Sequence, residues 1–195
     1  MFKSSNMKHT IAFGLLCLVV VGCLSYTPYS YRFSLIDPQN DTMSFVDSNI
    51  EFRFVPSSEN IHVAIKNKTD HEIKLVRKSA EYIDYSGESR RIHYGLDYAQ
   101  EVIDFAETND LFVPSLKIDP DSEITGYIWI NIWPDYCLGN GRMPINYLME
   151  PFFPRYSFEG SVEDLKNSTF NLILPIDFGE YVHNYTFTFK IDDVL

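Results

Sequence analysis

Three cysteines, Cys17, Cys23 and Cys137, are the residues of this chain best suited to covalent chemistry, and they sit in different surroundings. A thiol attacks only as its thiolate, which a histidine, a nearby cation or a helix N-terminus must stabilise. Cys137 lies in a stretch holding Pro134, Gly139 and Gly141, a composition that suits an exposed loop. Its potential activators are distant in sequence. His62 and His93 fall in strand patterns, His71 in a turn and His183 just before the last strand. A buried structural cysteine is the commoner outcome, so no catalytic residue is assigned, and an exported enzyme using Cys137 stands as the alternative.

Asp119, Asp121 and Glu123 could offer a hard cation three carboxylates, but the order lacks the Asp-x-Asp-x-Asp-Gly of a calcium loop and Pro120 stiffens it. A solvated hairpin corner is the expectation, with no metal and no cofactor. Gly139 and Gly141 are followed by neither Lys-Ser nor Lys-Thr, so they form no phosphate loop. Arg90 and Arg91 make the densest basic spot, best explained by surface pairing with the excess of acids. Four Asn-x-Thr or Asn-x-Ser sequences, at Asn40, Asn67, Asn167 and Asn184, are within chance for this composition.

Cys23 is different. Residues 1–10 carry Lys3 and Lys8 and no acid, and residues 11–21 are an uninterrupted apolar run apart from Gly14. Eleven residues rise only about 16 Å as a helix, against roughly 30 Å of hydrocarbon, so the run is too short for a span and has a signal peptide's order. It ends in Val20-Val21-Gly22-Cys23. This tetrapeptide resembles the lipobox of bacterial lipoproteins: an aliphatic residue, a tolerant position, a small residue and the cysteine. Cys17 fails the pattern because bulky Leu16 precedes it. The resemblance implies a diacylglyceryl thioether on Cys23, removal of residues 1–22 and a mature chain beginning at the modified cysteine. It implies a lipid bilayer as partner and a place in the bacterial envelope. Leu24, where Asp would resemble an inner-membrane retention signal, leans the expectation toward the outer membrane.

The remaining chain must supply the body that such an anchor holds. Residues 23–49 read as a tether with one candidate strand over 29–35, and residues 50–195 as a single domain. Strict alternation over 50–55, 61–66 and 185–191 predicts antiparallel strands with one wet face. Residues 72–76, 124–133 and 169–174 read as further strands, as does a hairpin over 82–94 turning at Ser86 and Gly87. Residues 96–110 fit a helix or a strand. Ser161 and Asp164 fit a capping box opening one short helix through Lys166. Many short strands with turn signals and no βαβ rhythm predict an all-β, antiparallel two-sheet β-sandwich. The run Ile61-x-Val63-x-Ile65-x-Asn67-Lys68-Thr69 is similar, diffusely, to immunoglobulin-like domains of exported bacterial proteins, a likeness of architecture that carries no activity.

Composition narrows the function. The 195 residues include 27 acidic and 16 basic side chains, and their aromatic content of 15% excludes a disordered tail. A formal charge of −11 excludes a nucleic-acid binder, which needs clustered Lys and Arg. Loss of the first 22 residues takes the charge to −13, so anionic headgroups are expected to repel the body and hold it off the bilayer. Residues 134–160 are long for a sandwich connection and rich in aromatics. Tyr147, Phe152 and Phe153 are the candidates for contact with a protein partner, the competing expectation being that this loop is folded in as extra core. The reading is a non-catalytic binding or envelope-structural module, with a protein-binding or inhibitory module using residues 134–160 as a further alternative.

Overall fold

A computed structural model describes residues 27–96, 114–130 and 151–195. The described residues are all-β and antiparallel. The strands are β1 (Tyr31–Asp37), β2 (Gln39–Asn40), β3 (Ser44–Val46), β4 (Ile50–Pro56), β5 (Ile61–Asn67), β6 (Ile73–Leu75), β7 (Glu81–Ile83), β8 (Ser89–Gly95), β9 (Leu116–Ile118), β10 (Glu123–Ile130), β11 (Thr169–Asp177) and β12 (Val182–Val194). A single 3-10 turn, Arg77–Ser79, precedes β7.

The strand order is β2-β1-β12-β11-β7-β8-β10-β5-β4-β3, with β6 and β9 forming a side ladder on β11. The two terminal strands of that order, β2 and β3, are consecutive in the chain and separated only by residues 41–43, so the sheet nearly closes on itself. β8 makes the corner: Ser89 to Arg91 pair with β7, whereas Ile92 to Gly95 pair with β10. A strand that changes partners midway turns the sheet without leaving an open edge.

Alternating residues fill the interior. Ile50, Phe52 and Phe54 on β4 and Ile61, Val63 and Ile65 on β5 face Leu172 and Leu174 on β11 and Phe187, Phe189 and Ile191 on β12, all nearly inaccessible to solvent. Rings interlock across this space, Phe54 with Phe187 at 4.6 Å and Phe52 with Phe187 at 5.0 Å between centroids. The period-two pattern over 185–191 therefore corresponds to the inward face of β12, which is longer than predicted at 13 residues.

Two departures from the sequence-based expectation are instructive. The short helix expected after Ser161 is absent, and residues 163–167 are a turn. Ser161 Oγ accepts from the Glu163 N–H at 3.3 Å, one position too early for a capping box. Leu165 and Ser168 donate to Val162 and Leu165, bonds of i→i+3 type, and Asn167 adopts φ of 68° while its N–H donates to the Ile191 carbonyl. The chain is thereby turned onto β12 before a helical turn can propagate. The stretch read as a tether with one candidate strand over 29–35 contributes that strand as β1 and two more, β2 and β3, with β1 paired to β12 from Tyr31↔Val194 to Asp37↔Thr188. Residues 97–113 lie outside the described residues, and with them most of the segment that fits either a helix or a strand.

Gly126 sits where β10 passes beneath Tyr94. A Cβ there would lie 2.8 Å from the Gly95 carbonyl oxygen and 2.8 Å from the Tyr94 ring. The backbone oxygen cannot retreat without loosening the β8–β10 ladder. Gly126→Ala is expected to destabilise the fold by about 1–3 kcal/mol, read as a lower urea midpoint at unchanged slope.

Burial of phenols sets the alkaline limit. Tyr31, Tyr82, Tyr94 and Tyr185 are each shifted upward from the ordinary value of 10, chiefly by desolvation. Tyr82 is 1% exposed and its hydroxyl has no hydrogen-bond partner. The unfolded chain releases these protons near pH 10 and the folded chain does not, so above pH 10 the unfolded state holds fewer protons. The stability these groups confer is complete below pH 10 and declines as pH rises further. The melting temperature should be flat from pH 8 to about 9.5 and fall steeply beyond about pH 10, as followed by circular dichroism.

Candidate functional site

Functional geometry begins where the chain enters the fold. Thr27 accepts from the Ser157 N–H at 3.0 Å, Pro28 bridges Tyr156, and the Tyr29 N–H donates to the Arg155 carbonyl at 2.8 Å. Ser30 and Leu195 exchange two backbone bonds of 2.9 Å. The hydroxyls of Tyr29 and Tyr31 donate to the Gly160 and Pro154 carbonyls at 3.3 and 2.7 Å. The entry is thus clamped from its first described residue, between the 154–160 segment and the C-terminus. Arg155 holds that segment together: its guanidinium bonds Glu159 at 2.8 Å and lies 3.7 Å from Glu59. The hydrogen bond from Arg155 holds the Glu159 carboxyl below the usual carboxylate range, and the same bond raises Arg155.

The opposite end of the fold carries a cleft. β12 runs from Val182 beside the β11–β12 turn to Val194 beside the entry, 13 residues that span about 40 Å at strand rise. At its far end the connections β3–β4, β5–β6 and β11–β12 flank an open cleft of about 410 Å³ lined by Asn49, Thr69, His71, Phe178, Glu180 and Tyr181. This volume lies within the range of small-ligand sites. The β11–β12 turn is pre-set: Gly179 takes φ of 91°, a conformation glycine reaches without strain, and its N–H donates to Asp177. Phe178 is buried and stacks on half-exposed Tyr181 at 5.3 Å. His71 Nδ1 lies 3.1 Å from Asp70, and that hydrogen bond lowers the Asp70 carboxyl. The lining combines a planar aromatic surface with hydroxyl, amide, imidazole and carboxylate groups, which offer stacking and hydrogen bonding to whatever occupies the cleft.

Asn67 holds the wall of this end. Fully buried, it shares the two hydrogens of Nδ2 among the carbonyls of His71, Ile118 and Asp119 at 2.8, 3.1 and 3.1 Å. Its Oδ1 accepts from the N–H and the hydroxyl of Thr69 at 2.9 and 2.7 Å.

The other sequence candidates disperse. Val20, Val21, Gly22 and Cys23 lie outside the described residues, as do Cys137 and Tyr147. Phe152 and Phe153 are 7% and 2% exposed. Phe152 packs on Tyr82 at 4.6 Å and Phe153 on Phe170 at 5.4 Å, so both are core residues and offer no contact surface. The alternative that folds this part of the loop into the core is the one the structure favours. Glu123 bonds Arg53 of β4 at 2.6 Å, and the Asp119 carbonyl accepts from the Ser122 hydroxyl at 2.7 Å, closing the turn. Among the described residues no group of three or more His, Cys, Asp or Glu is placed to hold a metal. Arg90 lies 3.3 Å from Glu88, a surface pair. His93 is 8% exposed beside Trp129.

Asn49, Phe178, Glu180 and Tyr181 have no motif that singles them out in the sequence. Their one legible signal is an aromatic pair around a glycine, Phe178-Gly179-Glu180-Tyr181, between two strands. Comparison with protein-family models, with curated proteins and with solved structures finds no match.

Proposed function

We propose that this chain is a bacterial lipoprotein: a non-catalytic, immunoglobulin-like β-sandwich module of the cell envelope, anchored by acylated Cys23 and presenting the Asn49, His71 and Tyr181 cleft away from the membrane. The observation that carries the reading is the order of the first 23 residues, a basic start, a short apolar run and Val20-Val21-Gly22-Cys23. Two aspects of the fold support it. The entry at Thr27 and the cleft occupy opposite ends of β12, so a lipid at the N-terminus leaves the cleft facing outward. The ring contacts between β4 and β12 support two layers that share β8, the sandwich of the proposal. Leu24 favours the outer membrane as the destination.

Acyl labelling tests this directly. In a bacterium with lipoprotein processing, the full chain should take up labelled palmitate and sediment with membranes, and Cys23→Ser should lose the label altogether, because a hydroxyl cannot form the thioether. Equal labelling of both chains, or none of either, would overturn the assignment.

A further inference from the structure

We infer that the turn carrying Phe158 is a membrane contact, lying in the interfacial layer of the same bilayer that holds Cys23. This rests on the lipoprotein reading. Only four peptide steps separate Cys23 from Thr27, a reach of at most about 14 Å when fully extended. Thr27 is already hydrogen-bonded into the fold. A lipid on Cys23 therefore holds the entry end of the domain within one headgroup layer or so of the hydrocarbon, and the repulsion expected from the net charge cannot move it further.

What that end presents fits this position. The pairing of residues 27 and 28 with 157 and 156 is antiparallel, so the 154–160 segment runs back toward Cys23 as its numbers rise. Its turn is closed by the Glu159 N–H donating to the Tyr156 carbonyl at 2.9 Å. Phe158 stands at the tip, 68% exposed, with its ring stacked on Tyr156 at 5.5 Å. Arg155 lies over the other ring of that pair, 5.8 Å from the Tyr156 centroid. Aromatic side chains backed by a cation are the composition that settles at the membrane–water interface. Two cations offset part of the acid charge nearby: Arg155 is shared between Glu159 and Glu59, and Lys166 pairs with Asp193 at 2.8 Å.

The test uses the full chain, isolated lipidated from membranes and reconstituted in phosphatidylethanolamine–phosphatidylglycerol vesicles with shallow brominated acyl chains. Tryptophan is placed by Phe158→Trp and, at the far end of β12, by Tyr181→Trp, with the signal of the unsubstituted chain subtracted. The tryptophan at 158 should be quenched at least twofold and shifted to shorter wavelength, and the one at 181 should be unaffected. Equal quenching at the two sites, or none at 158, overturns the membrane contact while a lipid mass on Cys23 leaves the anchor standing. An unmodified Cys23 in the same preparation overturns both.

Discussion

Asn67→Ala should lower the stability of the fold by about 3–4 kcal/mol, although it removes only an amide. The reason is the number of groups left behind. The buried Ile118 carbonyl loses its side-chain donor and the Thr69 N–H its acceptor, while the His71 and Asp119 carbonyls are left to Thr69 and Ser122 alone. Asn67 and Ile118 are fully buried, so the pocket Asn67 vacates is closed to compensating solvent at the Ile118 carbonyl. For a domain of this size the loss corresponds to a fall of roughly 6–16 °C in melting temperature. Asn67→Asp should be no better, since a carboxylate oxygen would face three carbonyl oxygens in place of the donating amide. A change under about 1 kcal/mol on Asn67→Ala would show that the clasp contributes nothing beyond the strand pairing around it.

Phe187→Ala should cost about 3–5 kcal/mol, the range for emptying a buried ring site. Phe187 is 1% exposed and its ring meets Phe45, Phe52, Phe54 and Tyr185 at centroid separations of 5.8, 5.0, 4.6 and 6.5 Å. The neighbours are held by their own strands, β3, β4 and β12, so the cavity cannot collapse by moving one side chain. Phe187→Leu retains most of the volume and should cost markedly less, which separates cavity from general disturbance. Chemical denaturation of the three proteins reads both effects. Similar midpoints for the alanine and leucine variants would contradict a tightly packed interior at this position.

The strands with strict alternation are legible in the sequence because a period of two over six or more residues has no competing interpretation. Ile50, Phe52 and Phe54, and then Tyr185, Phe187 and Phe189, mark one buried face by their spacing alone. β2, β3 and β9 are not legible in this way, because two or three residues carry no period and each is defined by the strand it meets. Pro38 has the character of a terminator, yet the chain turns there and resumes as β2. The helix expected after Ser161 fails for a related reason: the local capping signal is outweighed by backbone bonds to β12, over twenty residues away. Asn67 has the look of a turn residue in the run that resembles immunoglobulin-like domains, and only the arrival of β9 from fifty residues downstream makes it a buried clasp. Phe152 and Phe153 stand open between surface and core, since an aromatic in a loop reads the same either way until its neighbours are known. The cleft has no sequence signature because three separate connections build it.

The proposed orientation, membrane contact and outward cleft all follow from the proposed anchor. Its most direct test is the mass of the N-terminal peptide of the chain recovered from a bacterium with a working lipoprotein pathway. The expected result is a peptide beginning at Cys23 that carries a diacylglyceryl thioether. A free thiol at Cys23, or a chain still bearing residues 1–22, would contradict it.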